Sequence, residues 1–84
     1  MTYEVTLKRS AEHELDMLRG SLFERIKRKL LSLESNPRPI GVQKLHGQSA
    51  YRVRVGDHRI LYVIDDVAKR VEIIGIAHRR EAYR

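Results

Sequence analysis

Three arginines lie among hydrophobic residues in the segment AYRVRVGDHRILYVI, residues 50–64. The Gly-Asp pair at 56–57 predicts a two-residue type II′ turn, because glycine accepts the positive φ of its first position. Such a turn places Arg54 directly opposite Arg59. Because successive residues in a strand alternate between faces, Arg52, Arg54 and Arg59 then share one face of a hairpin whose other face is apolar. We call these three residues the arginine face.

Directly opposed like charges destabilise a sheet, so the arginine face needs an explanation. At a separation of about 5 Å and an effective dielectric constant of about 20, the repulsion is on the order of 3 kcal/mol, before solvent and splayed side chains reduce it. One interpretation is a solvated basic surface. The other is an anion site, where guanidinium groups converge on a phosphate and the repulsion is relieved on binding. This segment alone favours neither.

Other chemistries have little support in the sequence. There is no cysteine, no phosphate-binding glycine loop, and no metal-ligand spacing among the four histidines, which are His13, His46, His58 and His78. We therefore predict neither a metal nor a cofactor. Metal-free RNA cleavage stays open, because the ribose 2′-hydroxyl is itself a nucleophile and needs only a base, an acid and cations that stabilise the phosphate.

Length and charge narrow the class of protein. Residues 1–84 are enough for one small domain, and 17 Lys and Arg against 11 Asp and Glu give a net charge of +6. This charge is typical of proteins that bind nucleic acid or an acidic protein. No apolar run has the length of a membrane span, and the N-terminus lacks a signal-peptide pattern. We therefore predict a cytoplasmic protein with no membrane partner.

The first half of the chain predicts a strand followed by two helices. Apolar residues alternate over residues 3–9, as in a half-buried strand. Ser10 is the predicted N-cap of a first helix that stops at Gly20. Ser21 and Glu24 form the pattern of a capping box at the start of a second helix, which the Asn-Pro pair at 36–37 ends.

The second half predicts an antiparallel meander. A short edge strand over residues 42–45 precedes the hairpin, and RVEIIGIAHR, residues 70–79, forms the last strand. If Asp65 pairs with Arg70, alternation puts His78 on the arginine face and Arg79 on the opposite face. We predict an α+β fold in which the two helices cover the apolar face of the sheet and leave the arginine face open.

The segment KLHGQSAYRVRVGDHRILYVID, followed by IIGIAHRREAYR, resembles the RelE/ParE superfamily of type II toxin–antitoxin toxins. The resemblance extends over nearly the whole chain, including the two helices. RelE-like members are metal-free endoribonucleases that cleave messenger RNA in the ribosomal A site and are held inactive by an antitoxin. ParE-like members share the fold but inhibit DNA gyrase. The resemblance thus implies a toxin with a RelB-like antitoxin partner.

The resemblance also implies which residues act. The basic and aromatic positions of the RelE pattern are filled here by Arg52, Arg54, Arg59, Arg79 and Tyr83. These matches favour messenger-RNA cleavage, with a 2′,3′-cyclic phosphate and a 5′-hydroxyl as products, over gyrase inhibition or a non-catalytic RNA-binding module. The best-known RelE pattern has lysines at the positions of Arg52 and Arg54, and arginine is a poorer proton carrier than lysine. The identity of the general base is therefore open.

Two further residues complete the predicted site. His78 is a candidate general acid or base, and Lys44 is a candidate contact to the RNA backbone, as Arg52 is. Each of the seven residues also has an ordinary explanation as a solvated, packed or structural side chain. Their joint occurrence in one pattern supports the functional interpretation.

Overall fold

The structure is a computed structural model and describes residues 2–45 and 50–78. The elements of these residues are β1 (Glu4–Leu7), α1 (Arg9–Asp16), α2 (Gly20–Ser32), β2 (Gln43–Lys44), β3 (Ala50–Val55), β4 (His58–Asp65) and β5 (Arg70–His78). The predicted α+β fold is confirmed. Within this part of the chain, neither helix is long and apolar enough to cross a membrane.

The strands form one sheet in the order β1-β5-β4-β3-β2. Strand β1 lies parallel to β5, and the other neighbours are antiparallel. The helices bury their apolar stripes against one face, where Ile26 and Leu30 of α2 and Ala11 of α1 join a core with Val53 and Ile60 of the sheet. This core positions the hairpin, and no helix formed by residues 2–45 and 50–78 covers the other face of the sheet.

Both helices begin earlier than the sequence predicts. The backbone N–H of Lys8 donates to the carbonyl of Ile73 in β5, at 2.9 Å, so the chain leaves the sheet at Lys8 and α1 begins at Arg9. Ser10 therefore lies inside the first turn and is not the N-cap. Helix α2 begins at Gly20, whose φ of +61° turns the chain between the helices, and no side chain caps it. The predicted N-cap at Ser10 and the capping box at Ser21 are wrong.

The hairpin of β3 and β4 has the predicted register. Arg54 pairs with Arg59 and Val53 with Ile60, and Gly56 has a φ of +59°. A Cβ at position 56 would lie 3.3 Å from the guanidinium nitrogens of Arg25, so the end of this α2 side chain lies close against the turn. The turn is thus packed against α2 as well as joined to its own strands.

Strand β5 contains a β-bulge that the sequence analysis missed. Leu61 pairs with Gly75, but the next residue of β4, Tyr62, pairs with Ile73, so Ile74 has no partner in the β4–β5 register. Next to the bulge, the backbone N–H of Ile76 donates to the Glu14 carboxylate of α1 at 2.9 Å. Ile76 lies beyond Ile73, the last residue of β5 that pairs with β1, and here a helix side chain supplies the acceptor for its amide.

The bulge reverses the predicted placement of His78. Asp65 does pair with Arg70, as assumed, but beyond the extra residue His78 pairs with His58 and lies on the helix-covered face with Ile76. The prediction that His78 lies on the arginine face is therefore wrong. The predicted placement of Arg79 falls outside the described residues.

A cluster of polar contacts ties the loop after α2 to one end of the sheet, where β1 begins and β4 turns into β5. Arg38 forms a two-pronged ion pair with Asp66, at 2.8 and 3.2 Å, and Asp66 also accepts a hydrogen bond from the Tyr3 hydroxyl at 2.7 Å. The hydrogen bond from Arg38 is the main cause that lowers the pKa of Asp66 to about 2. Beneath the ion pair, the Tyr62 hydroxyl donates to the carbonyl of Pro37, and burial raises the pKa of Tyr62 to about 12.

Replacing Glu14 should destabilise the bulge. Glu14→Ala leaves the partly buried amide of Ile76 without its acceptor, and we expect the free energy of unfolding to fall by about 1 to 3 kcal/mol. Glu14→Gln keeps an acceptor oxygen, so its free energy of unfolding should fall by less. Urea unfolding checks both, with Glu12→Ala, an exposed change on the same helix, as control. Equal losses for Glu14→Ala and Glu12→Ala would contradict a role of Glu14 in the bulge.

The ion pair of Arg38 with Asp66 predicts a pH dependence of stability. The pKa of Asp66 is lower in the folded protein than its ordinary value near 4, so its stabilisation is present above that value and is lost as the pH falls towards about 2. Between these limits the free energy of unfolding should fall more steeply with decreasing pH for the parent than for Asp66→Asn. Parallel curves, measured by chemical unfolding at several pH values, would contradict the assignment.

Candidate phosphate-binding site

The arginine face forms a shallow basic depression on the side of the sheet opposite the helices. Its volume is about 310 Å³, and it is lined by Arg52, Arg54 and Arg59 together with Gly41 and Gln43. The hairpin register supplies the three arginines, and the edge strand β2 closes one side. The structure thus brings together the three arginines that the sequence places on one face.

Two arginine side chains are oriented by neutral oxygens. Arg52 donates from Nε to Oε1 of Gln43 at 2.8 Å, and Arg54 donates from Nε to the carbonyl of Gly56 at 3.1 Å. Neither of these bonds neutralises a guanidinium charge. Within residues 2–45 and 50–78 they are the only side-chain hydrogen bonds of Arg52 and Arg54, so the terminal Nη groups can donate to a ligand. Arg59 is half-buried and pairs with Arg54 across the two strands.

This arrangement can bind an anion but cannot by itself move a proton at neutral pH. The described residues that line the depression include neither a carboxylate nor an imidazole. Guanidinium groups stay protonated, so they stabilise negative charge rather than act as a base. Nor do three His, Asp or Glu side chains of the described residues come close enough together to hold a metal ion. The depression therefore has the properties of a phosphate site.

Two predicted site residues do not line the depression. His78 lies on the helix-covered face, where its ring meets that of His58 edge to face at 5.2 Å between centroids. Lys44 is exposed in β2 and pairs with Tyr51, so it shares the helix-side face of the sheet. Arg79 and Tyr83 fall outside the described residues.

Gln43 is a site residue that the sequence analysis missed. It pairs with Arg52 across β2 and β3, which places the two side chains on the same face. The signal was present in the sequence as a polar residue next to Lys44 in the predicted edge strand. The register of that strand could not be predicted, because Gly47 indicates a turn after it without fixing the length of that turn.

The sequence and fold of the chain are similar to those of toxins from toxin–antitoxin systems. A family model described as the ParE toxin of the type II toxin–antitoxin system parDE matches residues 5–83. Toxin RelE of Mycobacterium tuberculosis is 42% identical over 53 residues, which cover 62% of this chain and 55% of that protein. The matched segment thus spans about half the length of this curated relative.

Solved structures with the same fold include RelE toxins alone and in complexes. The archaeal RelE–RelB complex from Pyrococcus horikoshii OT3 matches with a TM-score of 0.84 and 29% identity, over 94% of this chain and 97% of that chain. The isolated E. coli RelE toxin matches with a TM-score of 0.80 and 26% identity, over 96% of this chain and 90% of that chain.

Proposed function

The chain belongs to the RelE/ParE family of type II toxin–antitoxin toxins and is RelE-like, and from this premise we propose that it is a metal-free endoribonuclease that cleaves messenger RNA, in the ribosomal A site. The observation that carries the proposal is the placement of Arg54 opposite Arg59 in an open basic depression. Guanidinium groups that can converge on one anion suit a phosphate, because each can donate hydrogen bonds to its oxygens.

The proposed reaction is an attack of the ribose 2′-oxygen on the adjacent phosphorus. A P–O bond forms to the 2′-oxygen and the P–O5′ bond breaks; the 2′-hydroxyl loses a proton and the leaving 5′-oxygen gains one. The products are a 2′,3′-cyclic phosphate and a 5′-hydroxyl. Arg54 and Arg59, with Arg79 from the family pattern, would stabilise the charge that develops on the phosphate, and Arg52 would hold the neighbouring backbone.

Proton transfer needs a group beyond the described arginines. His78 lies on the other face of the sheet, so we do not assign it a role in the reaction. Tyr83, which the family pattern supplies, would stack on a base or assist proton transfer. The general base is not assigned to any residue.

An antitoxin related to RelB is the proposed protein partner. The support comes from the relatives, because the solved structures from P. horikoshii and M. tuberculosis with this fold are toxin–antitoxin complexes. A net charge of +6 and an open basic depression would attract a segment rich in Asp or Glu. Such a segment over the arginine face would keep RNA out.

Gyrase inhibition is the second candidate function, because the matching family model is described as a ParE toxin. An inhibitor of that kind binds a protein and needs no phosphate site. The arginine face favours the ribonuclease, and the two activities can be separated by experiment.

Loss of one opposed arginine should abolish most of the activity without unfolding the protein. For Arg59→Gln we expect single-turnover cleavage of ribosome-bound message to slow by about a hundredfold or more, because a charge-stabilising donor at the reacting phosphate is lost. The free energy of unfolding should stay within about 1 kcal/mol of the parent, since relief of repulsion from Arg54 offsets lost contacts.

Arg9→Gln is the matched control, because Arg9 is an exposed arginine in α1, on the helix side of the sheet. This variant should cleave at the parental rate. If Arg59→Gln cleaves as fast as the parent, or unfolds, the arginine face is not a catalytic phosphate site.

The order in which protein synthesis and DNA synthesis stop should distinguish messenger-RNA cleavage from gyrase inhibition. After induction of the chain without an antitoxin, we expect incorporation of labelled amino acids to fall before incorporation of labelled thymidine, because messages are destroyed first. Arg59→Gln, expressed to the same level, should not arrest growth. If DNA synthesis falls first and gyrase-linked DNA breaks accumulate, the ribonuclease proposal is wrong and gyrase inhibition is supported.

A further inference from the structure

A second basic surface lies beside the arginine face, between α2 and the β3–β4 turn. This groove, which we call the α2 groove, has a volume of about 420 Å³. Its lining includes the cations Arg25, Arg28, Lys29 and Arg54, together with Ser32 and Gly56. Among the described residues no carboxylate lines it, and none of these four cations forms an ion pair there.

The sequence of α2 builds the groove. Residues 25, 28 and 29 are three and four positions apart and therefore share one side of the helix. Lys27 is two positions from Arg25 and points to another side. The apolar stripe with Ile26 and Leu30 fixes the rotation of α2 against the sheet, and this rotation places the three cations beside the turn. The guanidinium of Arg25 lies close against Gly56.

Arg54 belongs to both the α2 groove and the depression of the arginine face. Its Nε bonds to the carbonyl of Gly56, which lines the α2 groove, while its strand partner Arg59 lines the depression. The two basic surfaces are thus continuous through one side chain. A ligand that crosses Arg54 would meet cations on both sides.

We propose that the α2 groove binds the phosphates of the same RNA strand whose scissile phosphate lies at the arginine face. This proposal rests on the proposed function and adds a substrate-binding surface to it. Arginine, lysine and serine are the side chains that contact nucleic-acid backbones, and such contacts need charge and donors rather than apolar pockets. An acidic protein segment fits less well. Protein partners anchor in apolar pockets, and Val55 is the only large apolar residue among the described residues that line the groove.

The test measures binding of uncleavable RNA, made entirely of 2′-O-methyl nucleotides, which lack the attacking hydroxyl. Fluorescence anisotropy at several salt concentrations compares a four-nucleotide and a twelve-nucleotide strand. Arg28→Gln/Lys29→Gln should weaken binding of the longer strand about tenfold, and the slope of log affinity against log salt should become shallower by about 1.4, or about 0.7 for each lost phosphate contact. Binding of the shorter strand should change little.

Lys8→Gln/Lys27→Gln is the matched control, because it removes the same charge from exposed positions that do not line the α2 groove. Both pairs avoid Arg25, whose loss could disturb the turn, and thermal unfolding verifies that each variant is folded. Equal effects of the two pairs on RNA binding would show that only net charge matters and would overturn the proposal.

Three further outcomes are decisive. If Arg28→Gln/Lys29→Gln weakens binding of poly-glutamate but not of the longer RNA, the groove binds an acidic protein and the proposal fails. If it weakens binding to ribosomes but not to the longer strand, the phosphates belong to ribosomal RNA and the proposal fails. If Arg59→Gln cleaves like the parent while the α2 groove variant still loses RNA affinity, the proposed function fails and the groove assignment stands.

Discussion

The hydrogen bond from the Ile76 amide to the Glu14 carboxylate, at 2.9 Å, connects the first helix to the irregular point of the sheet. At that point β5 carries one extra residue, and the side chains beyond it change faces. Ile76 is thereby directed into the core and His78 towards α1, while Ala77 takes the position opposite Arg59. The composition of the arginine face therefore depends on a contact made on the other side of the sheet.

One face of the hairpin stabilises the fold, and the other carries the proposed functional site. The covered face holds Val53, Ile60 and Tyr62 in a core with the helices, and burial of such side chains supplies most of the favourable free energy of a small domain. The arginine face places two like charges, Arg54 and Arg59, opposite each other on the same two strands. A register shift by one residue would bury the arginines and expose the core, so the hydrophobic face holds the like charges in place. The proposed phosphate site can hold like charges opposite each other because its scaffold is stabilised on the other face of the sheet.

The sequence was sufficient where local rules decide the structure and insufficient where distant contacts do. The turn at Gly56 and the alternation around it predicted the register of β3 and β4, because glycine geometry and a period of two act over a few residues. The bulge at Ile74 could not be predicted from alternation, since its stabilising partner Glu14 lies 62 residues from Ile76 in the chain. The start of α1 followed from pairing of Lys8 with β5 and not from the capping preference of Ser10. The same limit explains the wrong placement of His78.

The α2 groove could be recognised only from the fold, because its basic residues come from distant parts of the sequence. Basic residues on α2 away from its apolar stripe are typical of a solvated helix surface, and the sequence gives no reason to connect them with a turn about 30 residues later. The connection is made by packing, because burial of Ile26 and Leu30 brings the basic side of α2 to Gly56 and Arg54. Glycine at 56 then serves both the turn and the approach of Arg25. Substitution of Gly56 would therefore disturb the turn of the hairpin and its contact with α2 together, beside Arg54, the residue that joins the two basic surfaces.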